Sequence, residues 1–255
     1  MMKKFFLLSW AILTALSFSS CSKDDNGKKN DPDPEPTKEI RYVQSMVYQS
    51  PEGSLINGNS LYFEYDEQHR LTKYTLVRPN GWTQTFTLTY MGNTIKVSMT
   101  GSDSFSGEFQ LNSQGYVIKD HWGYTYEYDK DGYLKRRLNN DGTINSTFTQ
   151  QNGNLTSSLR SNWAEETVTQ YFYSSTKNLA NFNLDDMLGV GDMDWELYLG
   201  LGLFGKNNTN LLTGHSAHCD VGNNFTYDID KDGYVTAVHG TYLGYSYTKT
   251  ITYYK

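Results

Sequence analysis

From Ile40 onward the sequence alternates between apolar and polar residues with a period of two. Phe86, Leu88 and Tyr90 are separated by Thr87 and Thr89, and Ile95, Val97 and Met99 by Lys96 and Ser98. Tyr124, Tyr126 and Tyr128 are separated in the same way by Thr125 and Glu127. Successive side chains of an extended chain point to opposite faces, so this pattern gives each segment one apolar and one wet face. A helix would scatter the same residues around its axis. The chain is therefore expected to be all-β.

The alternating runs are punctuated by a recurring phrase. Tyr62-Phe63-Glu64-Tyr65-Asp66 leads through a turn to Arg70-Leu71, and Tyr126-Glu127-Tyr128-Asp129-Lys130-Asp131-Gly132-Tyr133-Leu134 has the same plan. Thr226-Tyr227-Asp228 reaches Asp232-Gly233-Tyr234-Val235, and further turns fall at Asn112 to Gly115, Asn140 to Gly142 and Asn152 to Asn154. Asp, Asn and Gly accept hairpin turn dihedrals, so the unit is a β-hairpin. The spacing gives roughly thirteen to fifteen strands in an antiparallel meander. Strongly twisted open sheets rarely exceed about ten strands, which predicts a barrel or a strongly curved sheet.

One segment, Asn178 to Gly214, departs from the alternation. Leu184, Met187 and Leu188, then Trp195, Tyr198, Leu199 and Leu203, fit one helical face, although Leu197 to Leu203 also alternate around Gly200 and Gly202. A short helix is expected near Asp185 and another beginning near Asp192 or Asp194. The insert's apolar weight predicts a plug or cover over the open face of the sheet.

The first twenty residues have the order of a secretory signal. Lys3 and Lys4 precede an apolar run from Phe5 to Leu16, then Ser17-Phe18-Ser19-Ser20 and Cys21. About twelve apolar residues are too few for a helix to cross a ~30 Å hydrocarbon core. The small residues before Cys21 resemble a bacterial lipobox, which implies acylation of Cys21 and attachment to outer-membrane lipid. Residues 22–39, SKDDNGKKNDPDPEPTKE, hold nothing to bury and read as a disordered tether. Its opening Ser22-Lys23-Asp24-Asp25 resembles the export signal of Bacteroidota lipoproteins, which implies display on the cell exterior.

Loss of the signal would remove two lysines, leaving 20 basic against 28 acidic side chains. Phosphate binding needs a basic surface, so nucleic acid is not an expected partner. Cys219 is then left without a cysteine to pair with once Cys21 is acylated, and it reads as a small buried hydrophobe.

The hairpins, the apolar insert, the element Gly205-Lys206-Asn207-Asn208-Thr209-Asn210-Leu211 and the later Tyr227-Asp228 to Gly233-Tyr234-Val235 resemble a Bacteroidota family of uncharacterised lipoproteins with a porin-like fold. The hairpin phrase is also similar to the tyrosine-aspartate repeats of large secreted shell-forming proteins. Leu212 stands where proline often follows the Asn-Leu element in the lipoprotein family. The resemblance implies a barrel-like architecture. It supplies no activity, catalytic residue or cofactor.

Candidate chemistry is sparse. Asp228, Asp230 and Asp232 open like a calcium loop, but the twelfth position is His239 rather than a bidentate Glu, and the flanks are strands. A turn accounts for these aspartates without a metal. His215, His218 and Cys219 offer zinc-compatible ligands, yet strand alternation would turn the two imidazoles to opposite faces. Glu127 and Asp129 lie two apart on one strand face, a separation that suits a pair of glycosidase carboxylates, although Asp129 belongs to a recurring turn. Trp82 and Trp122 sit beside Gly81 and Gly123 and could stack on sugar rings; the plainer reading is strand-face packing. No Gly-x-Ser-x-Gly, His-Glu-x-x-His or phosphate-cradling loop occurs.

Three functions follow. The first is a non-enzymatic surface lipoprotein that binds a glycan or a surface protein, with no cofactor. The second is a glycan hydrolase using Glu127 and Asp129. The third is a membrane-embedded porin-like barrel, which would need strands of roughly 9 to 11 residues with an outward apolar band.

Overall fold

The computed structural model describes residues 40–101, 104–161, 166–183, 202–217, 223–242 and 244–254. Alternation becomes strand almost wherever the sequence shows it. The chain runs through β1 (Val43–Gln49), β2 (Ser60–Tyr65), β3 (Leu71–Val77), β4 (Thr83–Met91), β5 (Thr94–Gly101) and β6 (Phe105–Leu111). Next come β7 (Val117–Lys119), β8 (Thr125–Tyr128), β9 (Leu134–Leu138), β10 (Ile144–Gln151), β11 (Asn154–Ser161) and β12 (Glu166–Lys177). β13 (Asn210–Ala217), β14 (Asn223–Asn224), β15 (Thr226–Ile229), β16 (Val235–Tyr242) and β17 (Tyr245–Tyr253) complete the series. No helix occurs among the described residues.

From β1 to β14 each strand pairs antiparallel with the next. Phe225 alone separates β14 from β15, and its N–H still donates to the Thr213 carbonyl of β13 at 2.9 Å. β15 then pairs with β16 and β16 with β17. β14 and β15 thus act as one interrupted strand, which gives sixteen. β17 returns to β1, placing Ile251 opposite Met46 and Lys249 opposite Tyr48. The result is a nearly closed, barrel-shaped antiparallel sheet.

The burial pattern shows which face is inside. On β4, Gln84, Phe86 and Leu88 are buried while Thr83, Thr87 and Thr89 are exposed; on β17, Tyr247, Lys249 and Ile251 are buried while Thr250 and Thr252 are exposed. Ile95, Val97, Leu61 and Phe63 continue the buried face, with Lys96, Tyr62 and Glu64 opposite. A closed sheet can hide only its inner face, so the interior along these strands is mostly apolar, with Gln84 and Lys249 as buried polar members. Each fully buried Leu, Ile or Phe there contributes roughly 1.5–3 kcal/mol.

Strand direction alternates, so the connections alternate between two ends. The near end holds the start of β1, the turns after β2, β4, β6, β8, β10 and β15, and the segment between β12 and β13. The far end holds the remaining turns.

Tyrosines tie the near end together by a shared rule. Tyr65 donates its hydroxyl to the Val43 carbonyl at 2.8 Å, Tyr90 to Leu71 at 3.0 Å, Tyr128 to Val117 at 2.5 Å and Tyr253 to Val235 at 2.9 Å. Tyr227 donates to the Leu212 carbonyl. Each ring packs against the core while its hydroxyl bonds to the backbone at or near the start of an earlier strand. Burial pushes the Tyr90 hydroxyl up to about 12 and raises those of Tyr65, Tyr128 and Tyr253 as well.

Two outcomes are expected. Tyr65→Phe and Tyr128→Phe should each cost about 1 kcal/mol in urea denaturation, whereas Tyr62→Phe, on the exposed face, should cost nothing measurable. The folded chain holds its buried tyrosines neutral above the unfolded value near 10, so their contribution is intact below about pH 10 and is lost as pH rises through about 12. An alkaline melting series followed by circular dichroism checks the sign.

Candidate functional site

Four of the near-end turns, those after β2, β6, β8 and β15, share one hydrogen-bond set. Asp66 Oδ1 accepts from the Gln68 and Arg70 N–H groups, and Asn112 Oδ1 from those of Gln114 and Tyr116. Asp129 Oδ1 accepts from Asp131 and Tyr133, and Asp230 Oδ1 from Asp232 and Tyr234. A short acidic or amide side chain is required at the first position because it supplies the acceptor that holds the loop.

The insert's described ends lie across this end. Asn181 Oδ1 accepts from the Val43 N–H at 3.1 Å, and its Nδ2 donates to the Tyr65 hydroxyl at 3.1 Å. Asn207 Nδ2 donates to the Asn181 carbonyl at 2.6 Å, and Asn208 Oδ1 accepts from the Leu155 N–H at 2.9 Å. The Val117 N–H donates to the Leu203 carbonyl and the Lys206 N–H to that of Gly132. Below them Phe182 packs 5.1 Å from Phe63, and Phe204 packs 4.6 Å from Tyr126. These residues lie across the near end of the sheet, while Leu184, Met187, Leu188, Trp195, Tyr198 and Leu199, on which the expectation of a plug or cover rests, lie outside the described residues. The segments expected to be helical, near Asp185 and from Asp192 or Asp194, lie outside the described residues.

Between the insert's described ends and the turns after β2, β4 and β6 lies a cleft of about 650 Å³. Tyr42, Tyr90, Tyr116 and Phe182 give it aromatic surface, and Asn93, Asn112, Gln114, Asn181 and Asn207 give it amides. Arg70 and Lys206 are its two cations. No Asp or Glu occurs among its described lining residues. On the rim the His69 ring lies flat on Tyr42, with centroids 4.6 Å apart and planes 9° apart. The Arg70 guanidinium carbon sits 4.2 Å from the centre of the Tyr90 ring.

The residues singled out from sequence fall elsewhere. Asp230 Oδ2 receives Arg41 Nη1 at 2.8 Å, and Asp232 Oδ2 receives Arg41 Nη2. Asp228 turns outward to His239 Nε2 at 3.1 Å. The three carboxylates therefore do not converge, and a guanidinium occupies the place a cation would take. The Tyr234 N–H, joined against burial by the Asp232 N–H and Arg41, holds the Asp230 carboxyl below its ordinary range. His215 lies 6.2 Å from the Tyr171 ring and 6.0 Å from that of Phe225; His218, Cys219 and Cys21 lie outside the described residues. No group of three potential metal ligands occurs among the described residues.

Glu127 faces outward to Arg136 at 3.3 Å, while Asp129 is spent on its turn. They do not form a pair in a cleft. Trp82 and Trp122 sit in far-end turns, away from the cleft. Arg78 lies over the Trp82 ring at 4.3 Å. Trp122 is 40% exposed and stacks near Phe105 at 6.3 Å. The cleft residues were missed because they come from distant hairpins. One signal was available: His69 stands where the corresponding turns carry Gly115, Gly132 and Gly233.

No protein-family model matches the chain, and no curated protein matches it by sequence. Its fold is similar to solved structures from two Bacteroides species. A porin-like protein from Bacteroides uniformis is 19% identical with a TM-score of 0.59, over 83% of this chain and 98% of that one. A porin-like protein from Bacteroides vulgatus is 17% identical with a TM-score of 0.56, over 84% of this chain and 99% of that one. The likeness extends to the fold.

Because Arg41 already bridges the Asp230 and Asp232 carboxylates, neither calcium nor a chelator should shift the melting temperature of the protein. A calcium-dependent rise that Asp230→Asn abolishes would restore the metal reading.

Proposed function

We propose that the protein is a ligand-binding lipoprotein, anchored in the outer membrane through acylated Cys21 and displayed outside the cell, whose near-end cleft takes a glycan. The observation that carries this reading is the cleft's composition. Aromatic rings offer flat apolar surface, and amides supply both donors and acceptors for hydroxyl groups. Hydrolysis of a glycoside requires two carboxylates astride the bond, and the described lining has none. A described lining of this kind supports binding over hydrolysis by a carboxylate pair. The fold of the Bacteroides porin-like proteins and the lipobox-like leader are consistent with a place in the bacterial envelope.

A transmembrane pore is the competing reading, since the barrel shape would suit it. Membrane barrels carry an outward apolar band and a polar lumen. Here Thr87, Thr89, Lys96 and Glu64 face outward and Phe86, Leu88, Ile95 and Phe63 face inward. Most strands are also shorter than a membrane crossing needs: apart from β4, β12 and β17, all have eight residues or fewer. The inverted polarity favours a barrel that stands in water at the end of its tether.

Glycan-array screening of the purified full-length protein tests the reading. At least one glycan should bind without release of reducing ends, and Gln114→Ala combined with Asn207→Ala should weaken binding about tenfold, equivalent to ~1.4 kcal/mol. Turnover abolished by Glu127→Gln or Asp129→Asn would favour the hydrolase instead.

A further inference from the structure

Resting on the reading of the cleft as a glycan site, we propose that its ligand is an acidic saccharide whose carboxylate or sulfate meets Arg70 and Lys206 and whose ring lies on His69. The first argument is charge. The chain has 28 acidic and 22 basic side chains, yet two cations and no Asp or Glu are found among the described residues of the cleft wall. Asp66 behind the wall shares the Arg70 charge, so the unpaired positive charge is that of Lys206, and a wall that presents it together with the open edge of a guanidinium and no carboxylate of its own is suited to an anion.

Arg70 is also built for the task. Asp66 Oδ2 accepts from Nε at 2.8 Å and lies 2.7 Å from Nη2, Gln68 Oε1 accepts from Nη2 at 3.3 Å, and Tyr90 supports the plane from one side. Nη1 makes no hydrogen bond among the described residues. The guanidinium is thereby fixed in orientation with one donor edge unused, so little rotamer freedom remains to be lost on binding. Lys206 lies on the insert side, its Nζ 5.5 Å from the centre of the Tyr133 ring, and forms no ion pair among the described residues.

His69 supplies an independent observation. Its φ is +60°, in the left-handed region, at the turn position filled by Gly115, Gly132 and Gly233 in the three sister turns. Histidine is strained there and glycine is not, so the imidazole is kept at a cost to stability. Its ring is exposed, with its underside supported by Tyr42. Strain retained on the rim of a cleft, in a ring held flat and open, fits a stacking platform for a ligand.

Calorimetric titration of the purified full-length protein with trigalacturonate, a sulfated chondroitin oligosaccharide and maltotriose tests the proposal. Trigalacturonate or the sulfated oligosaccharide should bind more tightly than maltotriose, with affinity falling as salt rises. Binding of only one of the two identifies the acid group. Lys206→Gln should weaken acidic binding about tenfold and leave the melting temperature unchanged. His69→Gly should weaken it roughly fivefold while raising the melting temperature by about 2–4 °C, the opposite of what loss of a purely structural residue would do. Maltotriose binding that equals acidic binding and ignores both salt and Lys206→Gln would overturn the acidic ligand but leave the glycan cleft standing. Absence of binding to all three saccharides would overturn this proposal, and a blank glycan array as well would overturn the cleft reading beneath it.

Discussion

The pairing of the last strand with the first is the constraint on which the rest of the structure depends. Sixteen amphipathic strands present an apolar face too large to leave in water, and closure hides it without a second sheet. At the seam, Met46 meets Ile251 and Tyr48 meets Lys249, and the Ser45 and Thr252 hydroxyls lie 2.7 Å apart. Beyond it the Tyr254 hydroxyl reaches across to the Phe63 carbonyl at 2.7 Å. Lys249 is wholly buried, its Nζ 5.4 Å from the centre of the Tyr48 ring. Burial in turn pushes the Tyr48 hydroxyl well above its ordinary value. The face of the Tyr48 ring gives the buried Lys249 amine a favourable neighbour in the core.

Closure leaves two open ends, and the near end is where the chemistry collects. The tyrosine hydroxyls bind backbone at the starts of earlier strands, the Asp and Asn turns hold their own loops, and Phe182 and Phe204 fill the mouth. These devices leave the cleft walls preformed. Tyr42 lies where the chain enters β1, so that entry also contributes to the rim.

Much of this was legible in the sequence. Period-two alternation at Phe86, Leu88 and Tyr90 gave the strands and their buried face, and Asp129 to Gly132 gave a turn. The strand count rose from roughly thirteen to fifteen to sixteen because β7 and the interrupted β14 to β15 are too short to show a period. The acidic loop was legible as a turn, but its partner Arg41 was not, since it lies 189 residues from Asp230 and no local pattern can reveal it. The cleft was hidden for the same reason, since Tyr42, Arg70, Gln114 and Lys206 are neighbours only after closure. Its local trace was His69, a side chain standing where the matching turns carry glycine.

Amide hydrogen exchange at the seam tests the closed barrel most directly. If β17 closes on β1, the amides of Val47 and Thr250, which oppose each other across the seam, should exchange as slowly as those of Phe86 to Leu88 in the middle of the sheet. Fast exchange at the seam alone, as expected of two free edges, would contradict closure and with it the buried interior and the preformed cleft.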